Sequence, residues 1–267
     1  PDYKQIAKEI RKKILKMIFI SQAPHIGSAF SAVDILTVLY FKIMNLDPQN
    51  ASMENRDRFI LSKGHAASVL YATLAHRGFF PEENLETYSL NGSKLTGELT
   101  NWTPGVEVST GGLGHGLPMG VGMALAAKRD NLNHRTFVLM GDGECDEGST
   151  WETAMFASHH KLDNLIGIVD YNKLQAFGRT NEVMNLEPFA DKWAAFGWSV
   201  KEIHGHNYLQ IEEALSNIPF EKGKPSMIIA HTIKCKGISF MEDRLDSHYK
   251  PPTKEQYKLA LKEIEQI

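Results

Sequence analysis

The chain is poor in cysteine, lacks long hydrophobic runs and carries no large excess of charge of either sign. Its 267 residues include only two cysteines, Cys145 and Cys235, too few for a disulfide framework, so a reduced, cytoplasmic setting is expected. No apolar run approaches a membrane span and no signal peptide is recognisable, which predicts a protein without membrane insertion. A formal net charge of −3 leaves no basic surface for nucleic acid.

Linkers and repeats are also missing. No Pro/Gly/Ser-rich stretch, composition break, internal repeat or low-complexity tract divides the chain. The length allows one large α/β domain or two small ones, and the absence of a linker favours a single domain over residues 1–267.

Two short apolar, β-prone segments enclose the most informative part of the sequence. Thr136–Met140 and Leu165–Val169 are typical of buried parallel strands, and Ser149–His160 between them predicts a helix. This βαβ unit predicts an α/β fold, a parallel sheet with helices on both faces, in which ligands bind at the carboxyl ends of the strands. Asp142 follows the first strand and Asn172 the second, so both oxygen donors are expected at the same rim.

These oxygen donors suit a hard divalent cation. Mg²⁺ takes about six oxygen ligands, several of them from phosphate and water. The ligands expected from the protein are Asp142, Asn172 and a following backbone carbonyl, assigned to Leu174. Ca²⁺ or Mn²⁺ would be substitutes for Mg²⁺ at this site. Gly141 and Gly143 leave room for a diphosphate beside the backbone, and the next helix start favours negative charge. The prediction is a metal-bound diphosphate, although Gly-Asp-Gly by itself is more often only a turn.

The remaining elements are predicted from periodicity and end signals. The first is a helix over Tyr3–Ile20, with Arg11, Lys12, Lys13 and Lys16 on its solvent face. The second is a helix from Ser31 to Met44, begun by Ser31 and Asp34 as an approximate capping box. The others, in chain order, are a strand over Arg58–Ser62, helices ending near Gly78 and Arg129, a helix begun by Pro188, a strand over Trp198–Ile203, a helix capped by Asn207, and a strand over Met227–Thr232. Residues 85–105, 173–185 and 234–250 are predicted to be irregular, the first as an excursion over the site.

Two loop histidines precede the diphosphate motif. His25 lies where Pro24 and Gly27 interrupt the helical pattern, and His65 follows a predicted strand at its carboxyl end. A single histidine is more often structural or solvated than functional. Two of them ahead of one ligand motif make a catalytic role more plausible.

Several motifs together resemble those of transketolases, which use thiamine diphosphate. Gly-Asp-Gly followed after about thirty residues by Asn is similar to the thiamine diphosphate signature, and GDGECDEGSTWE and VDYNKLQ resemble the transketolase version of it. The segments PHIGSAFSAVDIL, RDRFILSKGHAA, TGGLGHG and LDSHYKPP resemble further transketolase segments in the family's order. The resemblance runs from about residue 14 to 252 and implies the family's cofactor-binding fold.

The resemblance also implies roles for individual residues. His25 and His65 match histidines that line the thiazolium and the substrate carbonyl, Gly112 and Leu113 match cofactor contacts, and His248 matches a histidine at the diphosphate or the active-site rim. Glu147 matches an acidic residue at the subunit interface, although it could simply stabilise a helix start. The catalytic residues implied are thus His25, His65, Glu147 and His248. The cofactor-binding residues implied are His65, Gly112, Leu113, Gly141, Asp142, Gly143, Asn172 and Leu174.

Only the diphosphate-binding half of a transketolase is represented. The resemblance therefore implies a split enzyme, in which a carboxy-terminal subunit supplies the catalytic glutamate, with two copies of each chain as the expected assembly. The implied reaction transfers a two-carbon ketol unit from a ketose, phosphorylated or specialised, to an aldose.

Two departures from the family pattern concern the donor. KLTGELTNW places Gly97 or a neighbour where the family usually has a histidine, and Phe177 stands where an Asp is frequent. These departures favour an unusual sugar or a 2-oxo acid as donor.

Three alternatives stay open at this point. A thiamine diphosphate-dependent 2-oxo acid decarboxylase, dehydrogenase or acyloin-forming subunit shares the Gly-Asp-Gly and Asn signature and would consume a 2-oxo acid without an aldose. A non-catalytic subunit would hold the cofactor only structurally. The Gly-rich segment 109–122 could bind a nucleotide, but it lacks the Rossmann spacing and the later acidic residue.

Overall fold

The sheet has five strands, all parallel, in the order β1-β2-β3-β5-β4. The computed structural model describes residues 1–267, and the strands are β1 Arg58–Leu61, β2 Thr136–Gly141, β3 Leu165–Tyr171, β4 Ser199–His204 and β5 Ser226–His231. The two predicted apolar segments are β2 and β3, which pair in register over six positions. The parallel α/β fold is confirmed.

Helices cover both faces of this sheet. They are α1 Tyr3–Ser21, α2 Ile26–Ser31, α3 Val33–Val38, α4 Ala67–Arg77, α5 Gly116–Arg129, α6 Gly148–His159, α7 Thr180–Val183, α8 Phe189–Ala195, α9 Tyr208–Ser216 and α10 Lys254–Glu265; a π-helical turn over Leu39–Ile43 extends α3. None of these helices is both long enough and apolar enough to cross a membrane.

Alternating side chains of the strands fill two separate cores. Phe137 and Leu139 of β2 pack into a cluster with α1 to α4, α9 and α10, whereas Val138 and Met140 pack into a second cluster with α5, α6 and α8. Burial on both faces explains why these strands are continuous apolar runs in the sequence.

The predicted start of a helix at Ser31 is wrong. The chain is already helical at Ile26, and Ser31 is the last residue of α2, with its Oγ donating to Asp170 (2.6 Å). Asp34, the other half of the supposed capping box, is buried and accepts two hydrogen bonds from Arg11, at 3.0 and 2.7 Å. Arg11 is therefore buried too, in contrast to its predicted place on a solvent face.

Three of the predicted irregular stretches also differ in detail. The segment after Asn172 contains the short helix α7, and a 3₁₀ turn over Leu245–His248 lies within the irregular region before α10. The excursion over 85–105 packs Leu95 and Leu99 into the core, and only Glu98 of that stretch reaches the candidate site. The helix α10, begun by a capping box at Thr253, was not predicted.

Candidate active site

A cavity of about 420 Å³ lies at the carboxyl ends of β1, β2 and β3. It gathers residues from segments far apart in the chain. The lining comprises His25, Ser28, Lys63, His65, Glu98, Gly111, Leu113, Gly141, Asp142, Gly143, Glu144, Asp146, Glu147, Asn172, Leu174, Gln175, Ala176, Phe177, Val183, Lys234 and His248. The fold thus brings the predicted diphosphate motif, both loop histidines and His248 together.

Asp142 presents a buried carboxylate to this cavity. Its Oδ1 accepts the backbone N–H of Gly143 (2.8 Å) and its Oδ2 accepts that of Lys173 (2.7 Å), but no side-chain cation forms an ion pair with it. Burial, with a smaller contribution from Asp170, raises the pKa of Asp142 to about 6. A buried carboxylate without a cation is the feature that a bound metal ion would satisfy.

The other two predicted metal ligands lie on the same rim. Asn172 follows β3, and its Oδ1 accepts the backbone N–H of Leu174 (3.1 Å), which shapes the turn that carries the Leu174 carbonyl. Lys234 Nζ donates to that carbonyl (2.8 Å) and contacts Nδ1 of His248 (2.8 Å). Burial lowers the pKa of Lys234 to about 8.

No group of three or more His, Cys, Asp or Glu side chains is arranged to hold a metal by itself. One carboxylate, one amide and one backbone carbonyl instead make a partial set of hard oxygen ligands. Such a set suits Mg²⁺ held jointly with phosphate oxygens and water. The residues present therefore fit a metal that arrives with a diphosphate.

Three histidines form a cluster on one side of the cavity. The ring centroid of His25 lies 5.0 Å from that of His65 and 5.1 Å from that of His248, and His65 and His248 are 5.8 Å apart. His25 has a left-handed backbone (φ 75°), and its N–H donates to the His248 carbonyl (2.8 Å). The strained backbone of His25 is thus tied to the segment that carries His248.

These histidines are neutral at physiological pH. Burial, followed by the charge of Lys234, lowers the pKa of His25 to about 4 and that of His248 to about 3. Burial and the nearby Lys63 hold the pKa of His65 well below its usual value. A neutral imidazole has one donor and one acceptor nitrogen, so the cluster can hydrogen-bond polar groups of a substrate without adding charge.

A buried ion pair stands behind the cluster. Lys63 and Asp170 are 1% and 0% exposed, and Lys63 Nζ donates to Asp170 and to the Ser28 carbonyl (2.8 Å). Thr232 also donates to Asp170. The pair links the end of β1 to β3 and to α2, the helix that follows His25.

Glu144 fixes the Gly-rich loop to the sheet. It is 1% exposed, and its Oε1 accepts hydrogen bonds from Ser62 Oγ and from the backbone N–H of Gly114 (2.9 Å). Its Oε2 has no hydrogen-bond partner, and burial raises the pKa of the carboxyl. Ser149 Oγ donates to the Gly114 carbonyl (2.8 Å). Gly114 has a positive φ (75°), which favours glycine, and a Cβ there would lie 2.8 Å from Glu147 Cβ and closer still to Ser149 Oγ, too close for another residue. The loop is therefore held at Gly114 from both sides.

The sequence matches the transketolase thiamine diphosphate-binding domain over residues 3–264. The chain belongs to the transketolase family. Among its relatives, a component chain of the apulose-4-phosphate transketolase of Phocaeicola vulgatus is 46% identical over 95% of this chain and 90% of its own length. A 6-deoxy-6-sulfo-D-fructose transketolase subunit of a Clostridium species is 45% identical over 99% of this chain and 96% of its own length.

Solved transketolases have the same fold. The Campylobacter jejuni transketolase superposes with a TM-score of 0.92 at 33% identity; the match covers 98% of this chain and 42% of that one. This chain therefore spans about two fifths of a full-length transketolase, and the resemblance inferred from the motifs is confirmed.

Most of the site residues predicted for a transketolase meet at the cavity. Gly112 is not among the lining residues, whereas its neighbours Gly111 and Leu113 are. Glu147 lines the cavity and precedes α6, but its side chain caps no backbone N–H there. His115 is exposed and contacts the Leu113 carbonyl (2.8 Å) with its own Nδ1. The roles predicted for Gly112 and Glu147 stay predictions.

Three residues of the site were missed in the sequence. Lys63, Lys234 and Glu144 are buried in the cavity wall, although lysine and glutamate are usually exposed. One signal was available for Lys63: Asp170 interrupts the otherwise apolar β3, and a charge inside a fully buried strand requires a cation nearby.

Proposed function

We propose that this chain is the cofactor-binding, amino-terminal subunit of a two-chain transketolase. The enzyme would transfer a two-carbon ketol unit from a ketose, phosphorylated or specialised, to an aldose. The observation that carries the proposal is the convergence of Asp142, Asn172 and the histidine cluster on one cavity in a transketolase-family chain. The relatives that are named as subunits of transketolases, and that have nearly the length of this chain, support the split organisation.

Mg²⁺ would be held by Asp142, Asn172 and the Leu174 carbonyl, with Ca²⁺ or Mn²⁺ as substitutes. The metal ion would in turn hold the diphosphate of thiamine diphosphate. Gly141 and Gly143 keep the adjacent backbone open, and Leu113 and Gly112 would contact the cofactor. When bound, the cofactor supplies an electron-accepting thiazolium for breaking a carbon–carbon bond beside a carbonyl. A carboxy-terminal partner would supply the catalytic glutamate, in an assembly of two copies of each chain.

The histidine cluster would act on the substrate. His25 and His65 are placed to hydrogen-bond the donor's oxygens as its carbonyl gains charge, and His248 closes the same side of the cavity. Because their pKa values are lowered, they would act at neutral pH as uncharged hydrogen-bond donors and acceptors. Glu147, at the cavity edge, would meet the neighbouring subunit. The two buried free cysteines fit a reducing compartment such as the cytoplasm.

Native mass spectrometry tests the assembly. The chain is purified gently from its own host with Mg²⁺ and thiamine diphosphate present, and we expect a complex of two copies each of this chain and a second chain, with cofactor and metal retained. A chain that stays alone and binds no cofactor at saturating Mg²⁺ and thiamine diphosphate would contradict the proposal.

Replacing His65 by Ala tests catalysis separately from binding. We expect kcat of the complex to fall about 10²- to 10⁴-fold, because a group that hydrogen-bonds the reacting carbonyl is lost. The affinity for thiamine diphosphate, measured by calorimetry, should fall by a smaller factor, because His65 is one of several predicted cofactor contacts and is not a predicted metal ligand. His160→Ala, which removes an exposed histidine after α6, is the control. Unchanged turnover in His65→Ala would favour a non-catalytic subunit.

A further inference from the structure

Glu98 is a carboxylate at the cavity for which the chain provides no partner. It lies in the stretch where the sequence departs from the family pattern, and it is the only residue of that stretch among the lining residues. Its side chain makes no hydrogen bond and no ion pair; only its backbone carbonyl accepts, from Thr96 Oγ1 (2.5 Å) and, more weakly, Tyr71 Oη (3.5 Å). The residue is exposed, yet partial burial in the cavity wall raises the pKa of its carboxyl.

The backbone that carries Glu98 is fixed to the same frame as His65. Leu99 forms a β-bridge with Thr110, whose N–H donates to the Leu99 carbonyl (3.1 Å). Thr110 Oγ1 in turn donates to the carbonyl of Leu61, the last residue of β1 (2.7 Å). Thr110 also packs so closely on Gly64 that no Cβ would fit there. His65 follows directly, so Glu98 and His65 are held at set positions.

The Gly-rich loop makes room for the carboxylate. A Cβ at Gly111 would lie 3.1 Å from Glu98 Oε2, closer than ordinary van der Waals contact, and 3.5 Å from its Cδ. Gly111 itself lines the cavity. The Glu98 carboxylate therefore lies against the loop, at the cavity wall, with its oxygens free to accept hydrogen bonds from a bound molecule.

We propose that Glu98 selects the donor by accepting hydrogen bonds from the hydroxyl groups of a polyhydroxy ketose and by repelling the carboxylate of a 2-oxo acid. This inference rests on the proposed function and assigns one residue to its donor specificity. A charged acceptor strengthens a hydrogen bond from a hydroxyl, whereas two carboxylates close together in a partly desolvated cavity repel each other. Glu98 thus resolves the choice left open by the sequence in favour of ketose donors.

Two donors that deliver the same two-carbon unit isolate this effect. Erythrulose is an uncharged ketose, and the bond that breaks in it releases an aldehyde. Hydroxypyruvate carries a carboxylate at that position, and the corresponding bond releases carbon dioxide. The complex of this chain with its partner is assayed with each donor and one common aldose at pH 8, well above the ordinary carboxyl pKa.

In Glu98→Gln, which keeps the shape but removes the charge, we expect the ratio of kcat/KM for hydroxypyruvate to that for erythrulose to rise about tenfold or more, as the loss of a charge-assisted hydrogen bond and of one repulsion implies. Thiamine diphosphate affinity should stay within about twofold of wild type. Glu83→Gln removes an equal charge from an exposed site outside the cavity and should leave the ratio unchanged.

A ratio in Glu98→Gln within twofold of the wild-type value would overturn the assignment of Glu98 while leaving the proposed function intact. If the wild-type complex does not use erythrulose, a phosphorylated ketose takes its place in the ratio. A wild-type complex that transfers no two-carbon unit from any ketose would contradict the proposed function, and the role of Glu98 with it.

Discussion

Replacing Asp142 by Asn is expected to abolish Mg²⁺-dependent binding of thiamine diphosphate while making the ligand-free chain more stable. The variant keeps an oxygen that can accept from Gly143 or Lys173 but removes a buried charge with which no side-chain cation forms an ion pair. Because burial raises the pKa of Asp142 to about 6, the charge costs the free chain about 1–3 kcal/mol at neutral pH. Loss of a direct metal ligand should weaken cofactor binding by more than the ~10- to 100-fold typical of outer-shell changes.

In the wild-type chain, a rise in pH should weaken the contribution of Asp142 to folding stability and strengthen metal binding. The folded-state pKa of Asp142 lies above the value of about 4 in the unfolded chain, so the folded state binds this proton more tightly. Its contribution to stability is full below pH ~4 and is lost as the pH rises through 6. Metal binding requires the ionised form and should weaken as the pH falls through 6.

Urea denaturation of the ligand-free chain and calorimetry of Mg²⁺–thiamine diphosphate binding measure the two effects. The matched control is Asp130→Asn, which removes an exposed carboxylate at the end of α5, outside the cavity. Unchanged cofactor affinity in Asp142→Asn would refute the metal assignment, and a less stable free chain would refute the account of the buried charge.

Replacing Lys63 by Met is expected to cost about 3–5 kcal/mol of folding free energy, because it leaves Asp170 buried without a cation. Only the hydroxyls of Ser31 and Thr232 would still donate to that carboxylate. The midpoint of urea denaturation measures the loss, with the slope checked for a change in the unfolded state.

The double variant Lys63→Met, Asp170→Asn distinguishes a lost charge pair from lost packing. Since it removes both charges, it should recover a large part of the stability lost in the single variant. A single variant that loses less than about 1 kcal/mol, or a double variant no more stable than the single, would contradict this role of the pair.

The parts of the fold predicted from the sequence are those in which local pattern and tertiary burial agree. β2 and β3 are continuous apolar runs because both faces are covered, and Asp142 and Asn172 meet because parallel strands end at one rim. Asn207 caps α9 as predicted, with its Oδ1 accepting the N–H groups of Leu209 and Gln210.

The predictions were wrong where a residue with a plausible local role instead contacts a partner that is distant in the sequence. Ser31 and Asp34 have the spacing of a helix cap, but Asp34 is bound by Arg11 and by His206 Nδ1 (2.8 Å). No local pattern reveals that Arg11, on an otherwise basic helix face, turns inward to meet Asp34. Glu144 was missed for a similar reason, because it lies in an acidic run that is typical of a solvated loop.

The order of the strands constrains how the sheet can form during synthesis. β5 follows β4 in the sequence, yet it lies between β3 and β4, and it is the strand with which β4 pairs. During synthesis β4 therefore cannot pair with the sheet until β5 (Ser226–His231) has been synthesised. Lys234 and His248 emerge later still. The cavity wall is thus complete only after residues that follow β5 in the sequence have been synthesised.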